Sequence, residues 1–313
     1  MLTKLYSKSS YSSIFLSNLY LIILVVFKTI ENSNRLKIKI SLSEYIIYII
    51  LFCILFNLYN TWVKKQAKDD GISITDRSSI HLFLFPVIFS FLPSNIINLE
   101  WITAICFMNF AMLKHISSLQ EVREKTLLKI GILLSISSMI VPYFFIYIFF
   151  LLTIKILLAD NYRISKILAI GLPSLITWFL TLTIKTFSSI SFPFYKPIIQ
   201  NENFYQLLTI DITSIMFIII TLVSLITLVF INKRYFYLLE RRTRYNRIAF
   251  FIIHLALIGF LKSMEALILL IYPVSYGLSL FNRIIKNKII LELSLITLLF
   301  FSLFNLYLSF ESI

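Results

Sequence analysis

The chain has 313 residues, of which 59% are hydrophobic and 14% are charged. Because soluble domains carry about 25% charged residues, this composition excludes an ordinary water-soluble protein. The net charge of +14 lies in short basic clusters between apolar runs, with no globular domain attached, so nucleic acid is not an expected partner. Anionic lipid headgroups are the expected partners of such clusters.

Long apolar runs follow one another from the N-terminal region to Phe310. A helix needs about 20 mainly apolar residues to cross a bilayer, where it must satisfy its own backbone polar groups. The predicted fold class is an all-α, polytopic transmembrane helix bundle with about 10–11 spanning segments and no soluble domain. Residues 1–313 are predicted to form a single membrane domain, which can be divided into modules 1–160 and 161–313. The predicted spans are 12–30, 42–62, 79–93, 97–114, 127–141, 143–159, 164–184, 208–231, 248–261, 266–282 and 289–310.

Some of these runs are shorter than a full crossing, namely 79–93, 127–141 and 248–261. Their length predicts helices that are tilted, re-entrant or partly buried against neighbours. Cys53 and Cys106 lie inside apolar runs without CxxC or His-rich company. Neither a metal site nor a disulfide framework is therefore predicted.

The first apolar run resembles a secretory signal, because Lys4 and Lys8 precede the run Ile14–Val26. A signal peptide ends in a small-residue cleavage site. Here Lys28 and the residues up to Glu31 follow instead, so we predict a retained first transmembrane helix.

The distribution of Lys and Arg predicts an orientation, because cytoplasmic loops are enriched in positive charge. With a cytoplasmic N-terminus, 22 of the 29 basic residues fall on the cytoplasmic side and seven on the outer side. The predicted location is the plasma (bacterial inner) membrane, multi-pass, with a periplasmic C-terminus. Four basic residues of the first outer loop run against the rule: Lys28, Arg35, Lys37 and Lys39.

Aromatic and basic residues alternate in the inner segment Lys233–Arg247, KRYFYLLERRTRYNR. This pattern is typical of a helix that lies at the cytoplasmic interface among anionic headgroups. An extension of the two adjacent helices into the cytoplasm explains it equally well. On the outer side, Lys185–Asp211 contains Pro193 and Pro197, which predicts a proline-broken loop.

Lys262 and Glu265 stand three residues apart, between two apolar stretches, and would share one face of a helix. In one arrangement, two helices form a hairpin whose turn holds this pair at the outer surface. In the other, a single helix over residues 248–272 carries a functional ion pair in the membrane beside His254. These three residues are candidate binding residues.

Glu31 follows the first predicted span and Glu100 begins the fourth, both on the predicted outer side. An outward carboxylate can act as a general base or help to hold a divalent cation at a substrate phosphate, so both are candidate catalytic residues. The alternative is a solvated acid at a helix end. The sequence contains no Walker A, GxGxxG, HExxH or GxSxG motif, so it assigns no cofactor.

The stretch DRSSIHLFLFPVIFSFLP is followed by NFAMLKHISSLQEVREKTLLKIGILLSISSMIVPYFFIYIFFLLTIKILL. An arginine precedes a short helix containing FP, then comes a helix ending in a basic cluster, then a broken helical hairpin. This order, from Asp76 to Gly171, resembles an uncharacterised family of polytopic inner-membrane proteins found in Bacteroidetes, a domain of unknown function.

The same order distantly resembles the N-terminal module of membrane glycosyltransferases that use polyprenyl-phosphate sugars. Those enzymes keep an acidic residue just outside the first helix, a role that the resemblance gives to Glu31, with Glu100 as a second. The long first outer loop of that family is missing here. The resemblance implies envelope glycan or lipid-carrier chemistry on a polyprenyl-phosphate-linked substrate. The alternative functions are a non-catalytic scaffold of an envelope complex, with partner subunits, and a transporter or channel-like subunit.

Overall fold

The computed structural model describes residues 2–6, 11–37, 40–69, 79–116, 124–149, 164–187, 212–234, 241–261, 263–285 and 287–311. These residues are helical almost throughout and contain no strand, which confirms the all-α class. The helices are α1 Leu2–Leu5, α2 Tyr11–Leu36, α3 Leu42–Asp69, α4 Ile80–Ser90, α5 Leu99–Ile116, α6 Glu124–Ile140, α7 Ile164–Phe187, α8 Ile212–Arg234, α9 Arg241–Leu261, α10 Ile271–Ile284 and α11 Lys288–Glu311. Short 3-10 helices cover Ser94–Ile96, Pro142–Phe144 and Glu265–Leu270.

Three helical stretches are long and apolar enough to cross a membrane, judged by their length and composition. They are Tyr11–Asn34, Leu42–Lys65 and Lys288–Leu308. The other apolar stretches among the described residues are shorter, such as Ile80–Ser90 and Ile164–Leu180. The larger number of crossings that the sequence indicates stays a prediction.

The chain separates into two compact units. The first unit contains residues 1–98 and 198–313, and the second contains residues 99–197. This grouping differs from a division at residue 160. The reason is that α6 and α7, which lie on either side of that point, pack against each other within the second unit.

The centre of the first unit is α4, whose eleven residues are all buried. Helices α2, α3, α10 and α11 pack around it. At 1.5 Å per residue α4 is about 16 Å long, roughly half of the hydrocarbon thickness of a bilayer. The short run at residues 79–93 is therefore a helix buried against its neighbours, one of the arrangements that its length predicts.

Aromatic rings fill the space between α4 and the helices around it. The ring of Phe89 lies 4.7 Å from that of Phe52, and the ring of Phe85 lies 5.2 Å from that of Tyr59. Both partners come from α3. Because α4 contacts protein on every side, its sequence is apolar all round and shows no polar face.

Polar side chains tie α2, α4 and α11 together inside the first unit. The Tyr20 hydroxyl lies 2.5 Å from Ser302 Oγ, which donates to Ser90 Oγ at 2.6 Å. The Asn305 amide donates to the Ser90 carbonyl oxygen. Such contacts are the usual hydrogen bonds between helices that have no water to compete for them.

The N-terminal segment is held at the end of the first unit where α4 and α11 begin. The Glu292 carboxylate accepts the backbone N–H groups of Leu2 and Thr3, at 2.5 and 2.9 Å. The Tyr6 carbonyl accepts both the N–H and the hydroxyl of Ser79, each at 2.9 Å. If the predicted spans alternate in direction, the N-terminal segment and the starts of α4 and α11 must lie on the same side of the membrane.

Helix α9 ends at Leu261, and a 3-10 helix starts at Glu265 and packs against α9. Residues 248–272 are thus not one helix. The Phe250 ring of α9 and the Tyr276 ring of α10 both contact the Trp62 ring, as the hairpin arrangement requires. Of the pair that the hairpin would hold at the outer surface, Glu265 is half-buried and Lys262 lies outside the described residues. Ser263 and Met264, between them, are buried.

The described ends of Lys233–Arg247 are helical, because α8 runs to Arg234 and α9 begins at Arg241. This favours the extension of two adjacent helices over one separate interface helix. The predicted headgroup contacts of Tyr235 and its neighbours lie outside the described residues, as does most of the predicted outer loop Lys185–Asp211.

In the second unit, α6 packs between α5 and α7. Ser137 Oγ donates to the Ala104 carbonyl at 2.7 Å, and Ser135 Oγ lies 3.2 Å from Ser174 Oγ. A Cβ atom added to Gly131 would stand 2.7 Å from the carbonyl oxygen of Ile170. Small side chains on α6 therefore let the backbones approach closely.

The Gly131→Ala substitution tests this close approach. We expect it to lower the free energy of unfolding by about 1–3 kcal/mol, because a methyl group must displace backbone atoms of α7. The matched control is Gly171→Ala, where nothing lies within 4 Å of the added Cβ and helix propensity predicts a gain of up to about 1 kcal/mol. Thermal unfolding of the purified protein in detergent measures both, and equal effects would contradict the packing.

Candidate functional site

Glu31 lies inside α2, which continues to Leu36. The predicted first span ends at residue 30, so the structure corrects the position of Glu31 from just after the helix to a point within it. The helix continues through polar residues because α2 packs there against the 3-10 helix Ser94–Ile96. The Glu31 side chain is only 8% exposed, which excludes a freely solvated acid.

Lys28 lies three residues before Glu31 and is also buried, at 4% exposure. Its ammonium group donates to the carbonyl oxygen of Leu92, just beyond the C-terminal end of α4. The same Nζ atom lies 5.7 Å from the centre of the Phe89 ring, within the range of a cation–π contact. The assignment of Lys28 to the basic residues of the first outer loop is therefore wrong, because the residue lies inside α2 and is buried.

Asn32 completes the contact between α2 and the segment after α4. Its Nδ2 atom donates to the Ile97 carbonyl at 3.4 Å, while the Ile97 N–H donates to the Ser94 carbonyl at 3.2 Å. Ser94 itself is buried. Pro93, in an extended conformation before the 3-10 helix, turns the chain so that these groups meet α2.

We call Lys28, Glu31, Asn32 and Ser94 the α2 polar cluster. An ammonium and a carboxylate three residues apart share one face of a helix, so the formal charge of the cluster is zero. Buried charged groups need compensating partners, because removing them from water costs several kcal/mol each, by rough estimate. The cluster can donate a proton or a hydrogen bond from Lys28 and accept one at Glu31.

Glu265 borders the same region of the first unit. It begins the 3-10 helix Glu265–Leu270, is half-buried, and accepts a hydrogen bond from Ser263 Oγ. That 3-10 helix and the end of α2 both pack against Ser94–Ile96. The structure thus brings Glu31 and Glu265 to one end of the unit, whereas Lys262 lies outside the described residues.

Glu100 belongs to the second unit, in the first turn of α5, and is half-buried. A carboxylate at this position is stabilised by the partial positive charge of a helix N-terminus. That interaction gives Glu100 a structural role independent of Glu31. Its catalytic role stays a prediction.

His254 is fully buried in α9. Its Nδ1 lies 2.6 Å from the Phe250 carbonyl oxygen, and its ring centre lies 4.1 Å from that of Phe250. Since a carbonyl only accepts, Nδ1 carries the proton. Phe250 in turn contacts Trp62 of α3, so His254 stands beside an aromatic cluster, and its predicted role in binding stays untested.

Sequence reasoning found Glu31 and missed the other members of the cluster. Lys28 was predicted to be a loop residue because the apolar run ends before it. The available signal was the spacing of Lys28, Glu31 and Asn32, which places them along one helical face. Nothing in the sequence alone marks Ser94 as their neighbour, because that contact is made only when α4 ends at Ser90 and the chain turns.

Within the described ranges, no group of three or more His, Cys, Asp and Glu side chains is arranged to hold a metal ion. Compared with protein-family models, with curated proteins and with solved structures, the chain matches none of them. What the fold and the cluster define is an all-helical protein with membrane-compatible helices and a buried, overall neutral polar site.

The Lys28→Met substitution tests the role of the buried ammonium. We expect the free energy of unfolding to fall by about 1–3 kcal/mol, because the Leu92 carbonyl loses a donor away from water. The control is Lys37→Met, the same change at an exposed residue just after α2, where surface substitutions stay within about 0.5 kcal/mol. The measurement is the thermal unfolding temperature in detergent. Equal shifts for the two variants would contradict the buried contact.

Proposed function

We propose that the chain is a multi-pass protein of a bacterial inner membrane, with a cytoplasmic N-terminus and a periplasmic C-terminus. Three helices long and apolar enough to cross a bilayer support the class. Within the first unit, residues 2–6 meet the starts of α4 and α11, while the α2 polar cluster lies beyond the opposite end of α4. The Lys and Arg bias would put the former end in the cytoplasm.

Cysteine labelling tests this orientation. After replacement of Cys53 and Cys106 by alanine, single cysteines are introduced as Asn34→Cys and Asn287→Cys, both at exposed positions. We expect a membrane-impermeant maleimide to label Asn34→Cys in spheroplasts, and Asn287→Cys only after the membrane is permeabilised. Labelling of both positions from the same side would contradict the topology.

We further propose that the protein performs envelope glycan or lipid-carrier chemistry of a membrane glycosyltransferase-like type. The observation that carries this proposal is the burial of Glu31 and Lys28, three residues apart in α2, at the end of the unit that the proposed topology would put in the periplasm. Ionisable groups at such depth are expensive to bury and commonly serve function. Carrier lipids would reach this end from the membrane itself.

In the proposed reaction, Glu31 accepts the proton of an acceptor hydroxyl as the hydroxyl oxygen attacks the anomeric carbon of a lipid-linked sugar. The new carbon–oxygen bond replaces the bond to the carrier phosphate, which departs with the bonding electrons. Lys28 is held over Phe89 by its contact with the Leu92 carbonyl and supplies a buried positive charge one helical turn from Glu31. A polyprenyl-phosphate-linked substrate supplies both sugar and leaving group.

The two other functions predicted from the sequence have less support. A transporter or channel-like subunit rests on the Lys262–Glu265 pair and on proline-interrupted helices. Lys262 lies outside the described residues, and the chain is not one continuous helix before Glu265, so this function stays a prediction. A scaffold subunit stays a prediction, because nothing in the described structure points to a partner surface.

The Glu31→Gln substitution tests the catalytic proposal. We expect the transfer rate to fall about 10²–10⁴-fold, the usual contribution of a general base, while Glu31→Asp keeps part of it. In a deletion strain carrying each variant, the readout is the envelope glycan profile together with accumulated lipid-linked precursor. The control is Glu44→Gln, an exposed carboxylate that caps the start of α3. An unchanged glycan profile for Glu31→Gln at normal protein level would overturn the proposal.

A further inference from the structure

Two buried oxygen atoms of the α2 polar cluster lack hydrogen-bond partners within the described part of the chain. They are Asn32 Oδ1 and Ser94 Oγ, on side chains that are 7% and 2% exposed. The orientation of the Asn32 amide is fixed, because its other end faces the Ile97 carbonyl, which can only accept. The amide oxygen is thus the end that points away from this contact.

The two atoms belong to one small region. Asn32 donates to the carbonyl of Ile97, and the N–H of Ile97 bonds to the carbonyl of Ser94. One helical turn earlier on α2, the Lys28 ammonium donates a hydrogen bond to the Leu92 carbonyl. The segments 28–32 and 92–97 therefore lie side by side, and each carries one of the two unpaired oxygens. A buried polar atom that has no partner destabilises the fold, so a ligand that supplies the partner would gain from it.

The chemistry of the cluster selects the ligand. Asn32 Oδ1 accepts only, so the ligand must present a hydrogen-bond donor, and the Ser94 hydroxyl can then donate or accept. An anion such as phosphate would be repelled by the accepting amide oxygen. Because the formal charge of the cluster is zero, a cation gains no net attraction from it. An uncharged hydroxyl group can donate to the amide oxygen without bringing a charge into the buried region.

We propose that the α2 polar cluster binds an uncharged, hydroxyl-bearing ligand of the sugar class. One ligand hydroxyl donates to Asn32 Oδ1 and another bonds to Ser94 Oγ, while Glu31 lies next to the bound ring. The inference rests on the proposed function in one respect, since it names the part of the substrate that Glu31 would meet: the sugar, and not the carrier phosphate.

The experiment uses the purified full-length protein in an amine-oxide detergent, because maltoside detergents are themselves sugars. The probes are free glucose, a glucosyl diacylglycerol in the same micelles, sodium phosphate, and sodium chloride against choline chloride. We expect glucose or the glucosyl lipid to raise the unfolding temperature in a concentration-dependent way. Comparison of these two probes distinguishes binding of a soluble sugar from binding of a lipid headgroup. Phosphate and sodium should have no specific effect.

Asn32→Leu and Ser94→Ala should each weaken sugar binding by about tenfold, the size expected for one lost hydrogen bond to the ligand. Asn57→Leu is the control, because Asn57 is exposed on α3 and its amide bonds only to its own helix at Cys53. Without sugar, Ser94→Ala should be at least as stable as the wild type, since a methyl group replaces an unpaired hydroxyl.

Several outcomes would overturn the inference. They are protection by phosphate or sodium alone, no protection by either sugar probe up to its solubility, and a large loss of stability in sugar-free Ser94→Ala, which would give the hydroxyl an internal structural role. The two proposals fail separately. If sugar binds but Glu31→Gln leaves the glycan profile unchanged, the proposed enzymatic function is contradicted. If Glu31→Gln loses the glycan product but no sugar binds, only the present inference is contradicted.

Discussion

The burial of α4 on all sides is the constraint on which the first unit depends. Both ends of this helix of about 16 Å lie inside the protein, so their backbone groups need partners there. At the start of α4, Ser79 bonds to the Tyr6 carbonyl. Beyond its end, Lys28 donates to Leu92, where a cation is also favoured by the helix dipole. The polar cluster exists because this helix is short.

The second physical theme is close approach through small residues. Lipid gives apolar helices little reason to prefer each other, so tight backbone contact and hydrogen bonds must supply the association energy. In the first unit, a Cβ atom on Gly277 of α10 would overlap the side chain of Ser224 on α8 and stand 2.8 Å from its carbonyl oxygen. In the second unit, a Cβ atom on Gly131 of α6 would likewise stand too close to the Ile170 carbonyl oxygen of α7. In each unit, a glycine therefore permits close contact between the backbones of two helices.

Sequence reasoning reached the helical class, because apolar runs are a local signal. The charges at Lys262 and Glu265 offered a break after α9 as one of two arrangements, and the structure has the break. Sequence reasoning also selected Glu31, as an acid at the edge of an apolar run. It did not find the burial of Lys28, because burial there depends on a contact with Leu92, more than sixty residues away. The polar end of α2 has no local reason to stay helical and buried. Tertiary contact with the segment after α4 supplies that reason, and no periodicity in α2 reveals it.

The burial of Lys28 also bears on the orientation of the chain. Of the basic residues that opposed the positive-inside rule in the first outer loop, Lys28 does not act as a loop charge, because its ammonium is used inside the protein. Leaving Lys28 out of the loop count strengthens the predicted bias toward cytoplasmic Lys and Arg. A buried lysine must be compensated, and Glu31 on the same helical face provides the opposite charge.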